Sequence, residues 1–261
     1  MNNKILKPKT KVLILAAGKG SRLKELTNNM PKCMLDFRGK TLLERQISSF
    51  NKCGLKDISV VRGYKKNKIN FNGLKYFDNN DYENNNILNS IFYAHKIIEG
   101  DIIISYSDIL FDYKIVNKLL KSNHNFTAVI DVDWKKNYKN RTLHPLSEAE
   151  NVIYNKTNEI LKIGKNILSN KNVTNLNGEF IGIIKLNKNG SKVFYDNFYK
   201  YKKKYNNKKF QKASIFRKAY LTDMLQELID NDIKINCLKI KQGWREIDTI
   251  EDYENYLKNT N

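Results

Sequence analysis

The sequence predicts a single α/β domain with a mostly parallel central sheet flanked by helices, and three observations carry that prediction. Val12–Leu15 is a continuous apolar run, which suits a strand buried on both faces. A capped amphipathic segment and then a second apolar run, Ile58–Val61, follow it, and strand, helix, strand in that order builds a parallel sheet. The 261 residues, 41% of them hydrophobic, suffice for one sizeable core, and no Pro/Gly/Ser-rich linker or fixed-period repeat divides residues 1–261.

The first strand leads into Ala16, Ala17 and Gly18, then Gly20, Ser21 and Arg22, and the small residues among them let a ligand approach the backbone. Consecutive N–H groups in a glycine turn make an anion-binding concavity, and Arg22 and Lys32 add charge that follows phosphate oxygens. Pro31 fixes the backbone just before Lys32. The spacing fits neither a P-loop, since Lys19 is followed by Gly20, nor the dinucleotide fingerprint, since Leu23 stands where its third glycine belongs. An ordinary glycine turn after a core strand would not call for two cations.

Thr41 and Glu44 have capping-box spacing, and Leu42, Leu43, Ile47 and Phe50 form a stripe, so a helix is expected to about Cys53, ended by Gly54. Ile58–Val61 is the second strand and Leu74–Phe77 a short third. An Asn/Asp-rich stretch follows, Asp78–Asn89, and a helix is expected over about Ile87–Ile98; Asn84, Asn85, Asn86 and Ser90 offer groups able to read the edge of a base. Asp101–Ser105 is expected to be a strand that continues to Asp108. A lone carboxylate at the C-terminal end of a buried parallel strand lies where α/β sheets bind ligands, and it suits Mg²⁺.

Asn125–Val132 is another strand. Asp131 near its end and Asp133, Trp134, Tyr138, Arg141 and His144 soon after it make a density that suits an acceptor pocket in which rings and carboxylates hold a cation and Arg141 a phosphonate. Val152–Tyr154 and Ile160–Ile163 read as a hairpin, and Gly178–Gly182 opens a strand containing Glu179. Helices are expected over about Ser191–Tyr205 and Phe216–Ile229, then a strand over Ile235–Ile240. If Gln242–Asp248 is extended, Trp244, Glu246 and Asp248 share one face. Thr249 and Asp252 have capping-box spacing for a last helix.

Three cysteines without C-x-x-C spacing argue for neither a disulfide framework nor a zinc site. The formal charge of +20 raises the alternative of a nucleic-acid-binding protein, but lysines are spread along the chain, and the cluster at Lys200–Lys212 reads as a helix with a solvated basic face. No apolar run reaches membrane-span length, and Met1–Thr10 is polar without a signal-peptide core, so a cytoplasmic protein is expected. A homodimer is left open.

L-A-A-G-x-G-x-R followed by P-K resembles the signature of nucleotidyltransferases that join an NTP to a phosphorylated small molecule and release pyrophosphate. From about Lys11 to about Leu257 the chain is most similar to cytidylyltransferases acting on phosphonates of the 2-aminoethylphosphonate type or on phosphocholine. D-x-D-W with the later Tyr, Arg and His-Pro, and W-x-E-I-D-T-x-E-D-Y, carry the closer likeness. The resemblance implies a Rossmann-like nucleotidyltransferase domain, CTP as donor, and Mg²⁺ held by Asp108 and Asp248. It also implies base contact by Asn85 and Ser90, and Glu179 on the acceptor side. The acceptor expected first is 2-aminoethylphosphonate or a hydroxyalkylphosphonate, then phosphocholine, then a sugar phosphate. Trp134, Tyr138, Arg141, His144, Glu179, Trp244 and Glu246 are its candidate contacts.

Overall fold

A computed structural model of the chain describes residues 10–139, 141–168 and 176–259. Most of the polar N-terminal segment Met1–Thr10 lies outside them. The chain runs β1 (Lys11–Ala16), α1 (Leu42–Lys52), β2 (Ile58–Arg62), β3 (Lys75–Asp78), α2 (Ile87–Tyr93), β4 (Ile102–Tyr106), β5 (Ile109–Phe111), α3 (Tyr113–Leu120) and β6 (Phe126–Asp131). It continues through β7 (Glu150–Tyr154), β8 (Ile160–Lys165), β9 (Leu176–Leu186), α4 (Lys188–Tyr205), α5 (Leu221–Asp230), β10 (Asn236–Ile240), β11 (Trp244–Glu246) and α6 (Ile250–Asn259).

The sheet has the order β10-β6-β9-β4-β1-β2-β3, with β1 near its middle as the apolar run predicts. Strands β3, β2, β1 and β4 are parallel, as are β10 and β6, while β9 runs antiparallel between β4 and β6. The hairpin β7–β8 hangs off the first half of β9. The architecture is therefore the predicted mixed, mostly parallel sheet between helices. The side chains of β1 divide between two cores: Leu13 and Leu15 pack with α2, α4 and α5, and Val12, Ile14 and Ala16 with α1 and α3. Burial on both faces explains why no polar alternation marks this strand.

The box at Thr41 and Glu44 forms, with the Glu44 N–H donating to Thr41 Oγ1 and the Thr41 N–H to Glu44 Oε2. The helix expected over Ile87–Ile98 is shorter, because the α-helix ends at Tyr93 and a 3₁₀ turn follows. The one expected over Phe216–Ile229 likewise splits into a 3₁₀ turn at Phe216–Lys218 and α5. The strand expected to reach Asp108 stops at Tyr106, and a turn precedes β5. Helix α3, absent from the sequence reading, is capped by Asp112, whose side chain accepts from the Lys114 N–H. In the basic cluster Tyr201 is buried while Lys202, Lys203 and Lys204 face solvent. Among the described residues no helix is long and apolar enough to cross a membrane.

Candidate active site

The site forms at the C-terminal ends of β1 and β4. Beyond β1 the Ala17 carbonyl accepts from the Tyr64 N–H at 2.9 Å, and the chain then rises into Gly18–Arg22, largely exposed. Gly20 has φ +72°, and a Cβ there would lie 2.8 Å from the Lys32 Cβ, so only glycine lets the loop lie against the lysine. Pro31 is extended and opens the 3₁₀ turn Lys32–Met34, which sends the Lys32 side chain inward. Cys33 beside it is buried, and burial pushes its thiol up to about 12, which leaves it inert.

Lys32 Nζ lies 2.8 Å from Asp108 Oδ2 and 2.8 Å from Asp248 Oδ1. Two carboxylates 140 positions apart in sequence thus meet on one ammonium, and the backbone explains how. Strand β11 pairs antiparallel with β5, Glu246 opposite Ile109, and the Ile247 N–H donates to the Asp108 carbonyl at 2.8 Å. The next residue, Asp248, is fixed by the cap of α6: Asp252 accepts from the N–H groups of Asp248 at 3.0 Å and Thr249 at 2.9 Å. The Arg22 guanidinium also pairs with Asp248, so the loop after β1 closes over the acid pair. Burial opposes ionisation of Asp248, but Lys32, His144 and Arg22 together outweigh it and hold the carboxyl well below the usual range. Burial also works against the Lys32 charge, and the two aspartates more than reverse it, raising the ammonium above its ordinary value.

A second layer surrounds the pair. His144 is buried with Nδ1 3.3 Å from Asp248 Oδ2 and Nε2 3.4 Å from Glu246 Oε2. Arg141 donates through Nε to Asp252 Oδ1 at 2.7 Å and through a terminal nitrogen to Oδ2 at 2.9 Å. The sequence reading gave Arg141 a phosphonate; here it instead holds Asp252, and through it the backbone of Asp248. Trp134 and Tyr138 likewise differ from expectation. Trp134 packs edge-on against Tyr138 and bonds Asn177, and the Tyr138 hydroxyl donates to Glu179, so both rings back the cleft instead of lining it.

The cleft itself is lined by Arg22, Asp108, His144, Glu179, Trp244, Glu246 and Asp248 among the expected residues. Trp244 also donates from its indole to Asp131 at 2.8 Å, which fixes the ring. Asn85 and Ser90 do not line it. Asn85 forms a reciprocal amide pair with Asn79, and Ser90 Oγ accepts from the same Asn79 at 2.8 Å. The neighbouring Asn86 and Ile87 reach the cleft instead. Sequence reasoning gave no site role to Tyr106, Glu148, Glu150, Lys165 and Tyr220, which also line the cleft.

Three acids here are pushed up by burial. Glu179 rises to about 8 despite the Tyr138 hydroxyl, Glu150 to about 7 despite Thr222, Lys165 and Tyr106, and Glu246 rises under burial and the negative charge of Asp248 and Asp108. A carboxyl whose folded pKa exceeds its unfolded value costs stability as pH climbs from the unfolded value, about 4.5, through the folded one. Glu150→Gln is therefore expected to raise the melting temperature relative to wild type, little at pH 5 and more at pH 8, by at most a few kcal/mol in ΔG, at about 1.4 kcal/mol per pKa unit. Thermal unfolding of both proteins at the two pH values checks it; a difference that shrinks as pH rises would contradict it.

Comparisons with known proteins identify the family and fold to which the chain is similar. Residues 12–161 match the family model of the MobA-like NTP transferase domain. The CTP:phosphoglutamine cytidylyltransferase of Campylobacter jejuni is 32% identical over 93% of this chain and 97% of its own. The 2-aminoethylphosphonate cytidylyltransferase of Lancefieldella rimae is 32% identical over 39% of this chain and 44% of its own. The solved CTP:phosphocholine cytidylyltransferase of Streptococcus pneumoniae superposes with a TM-score of 0.70 over 95% of this chain and 98% of that one at 18% identity, a likeness of fold. With a matching domain over more than half its length and a relative aligned nearly end to end, the chain belongs to the MobA-like NTP transferase family.

Proposed function

We propose that the protein transfers the cytidylyl group of CTP to a small phosphonate or phosphorylated amine and releases pyrophosphate, with 2-aminoethylphosphonate as the simplest acceptor. The observation that carries this reading is the convergence of Asp108 and Asp248 on Lys32, beside a cleft that both acids and Arg22 of the loop after β1 line. CTP as donor rests on the cytidylyltransferase relatives. The near-full-length likeness to a phosphoglutamine enzyme favours a phosphorylated amino acid as a second acceptor.

The acid pair fits Mg²⁺. Its donors are hard carboxylate oxygens converging on one cationic position, and Asp108 Oδ1 is buried without a hydrogen-bond partner among the described residues. Held by Asp108 and Asp248, the ion would supply charge neutralisation at the reacting phosphate oxygens. The chain supplies the rest. The N–H groups of Gly18–Ser21 and the Arg22 guanidinium would cradle the triphosphate, and the Lys32 ammonium, charged throughout the physiological range, would draw electron density from the α-phosphate region. A phosphonate or phosphate dianion is itself the nucleophile, so its oxygen attacks the α-phosphorus in line without a general base. Catalysis then rests on orientation. Glu179, 4% exposed and with Oε2 buried and unpaired among the described residues, and Glu246 would accept further hydrogen bonds from the acceptor.

A pyrophosphate-release screen of CTP, UTP, ATP and GTP against phosphonates, phosphocholine and sugar phosphates tests the reading. CTP with an amine-bearing acceptor is expected to be fastest by at least about ten-fold, the scale of one well-placed hydrogen bond. A preference for sugar 1-phosphates, or for another NTP, would overturn it.

A further inference from the structure

We infer that the β7–β8 wall of the cleft recognises an amino-acid head, ammonium and carboxylate together, through Glu150 and Lys165. The assignment rests on the transfer reading above and deepens it. In the β7–β8 hairpin Glu150 stands directly opposite Lys165, so strand register sets one acid beside one base, and both line the cleft.

Neither group is used up by the other. The Glu150 carboxylate accepts from Thr222 Oγ1 at 2.8 Å and from the Tyr106 hydroxyl at 3.3 Å, two neutral donors that fix its orientation. Among the described residues no cation lies within ion-pair distance of it. Lys165 turns instead to Glu148, with Nζ 2.7 Å from Oε2, and stands 5.3 Å from the centre of the Tyr220 ring. An ammonium has three donors, and Glu148 takes one, which leaves Lys165 able to donate to a ligand carboxylate. Lys165 acts on Glu150 only from beyond ion-pair distance, and a ligand ammonium would bring the Glu150 carboxylate a positive partner in direct contact. A trimethylammonium head offers no N–H to Glu150, and an acceptor lacking a carboxylate leaves Lys165 unused.

Three acceptors separate the two contributions: 2-aminoethylphosphonate carries the amine alone, 3-phosphonopropionate the carboxylate alone, and 2-amino-3-phosphonopropionate both. Calorimetric binding of each to the full chain, with pyrophosphate release measured alongside, is expected to favour the third over either of the others by at least about ten-fold, as for one charge-assisted hydrogen bond. Lys165→Met should bring its ratio to 2-aminoethylphosphonate close to one, and Glu150→Gln its ratio to 3-phosphonopropionate. Reading ratios within each variant keeps a general loss of folding from imitating the result. Equal binding of the three by the wild type, or unchanged ratios in both variants, would overturn the assignment. Tight, Lys165-dependent binding of the zwitterion without pyrophosphate release would leave the assignment standing and refute cytidylyl transfer.

Discussion

On the proposed reading, Asp108→Asn and Asp248→Asn are each expected to lower turnover by about 10²–10³-fold or more, roughly 3–4 kcal/mol of barrier, because each removes a carboxylate that would hold the Mg²⁺ neutralising the reacting phosphates, without changing shape. The larger loss belongs to Asp248. Its carboxylate meets Lys32, Arg22 and the His144 ring, whereas among the described residues Asp108 pairs with Lys32 alone. Asp248 is also held below its ordinary range, so its ionised form stabilises the native state above the unfolded pKa, and that contribution is lost as pH falls. At neutral pH Asp248→Asn should therefore melt lower than Asp108→Asn, with the same far-UV circular dichroism. Rates within two-fold of wild type at saturating Mg²⁺ in either variant would remove that residue from the site.

Lys32→Ala is expected to act in two ways. Turnover should fall about 10²–10³-fold with weakened CTP binding, since the cation nearest both acids is gone. The same change leaves Asp108 and Asp248 facing each other without their shared ammonium, an arrangement of like charges that costs stability until a cation returns. Added Mg²⁺ should consequently raise the melting temperature of the variant more than that of the wild type. Equal Mg²⁺ shifts, with CTP affinity intact, would show that Lys32 neither shares the acids' position nor serves the nucleotide.

The parts of the fold legible in the sequence are those whose physics is local. The apolar run of β1, the caps at Thr41 and Thr249, and the alternation that places Trp244 and Glu246 need only neighbours within a few residues, and all appear in the structure. Helix α3 was legible in principle, since Asp112 caps a run with Ile115, Val116 and Leu119 buried, but its short stripe follows β5 without a break. The antiparallel course of β9 between two parallel strands leaves no mark in its own residues, because both faces are buried either way.

The site divides along the same line. Asp108 and Asp248 stand out because each ends a patterned segment, yet their meeting depends on the pairing of β5 with β11, which is set by tertiary structure. Arg141 and Asn85 are polar residues in polar stretches, and only geometry reveals that Asp252 and Asn79 already engage them. Glu150 and Lys165 could not be paired from sequence, because the register of the hairpin decides which of its charges face each other.

Phosphorus NMR of the protein with Mg²⁺, CTP and an amine-bearing phosphonate would show the reaction itself. The expected spectrum loses the CTP resonances and gains, in equal amounts, pyrophosphate and the paired signals of a new P–O–P linkage between the cytidylyl phosphorus and the phosphonate, and only when the acceptor is present. Loss of CTP to a nucleoside mono- or diphosphate without that linkage, or an unchanged spectrum with every acceptor and nucleotide tried, would contradict cytidylyl transfer.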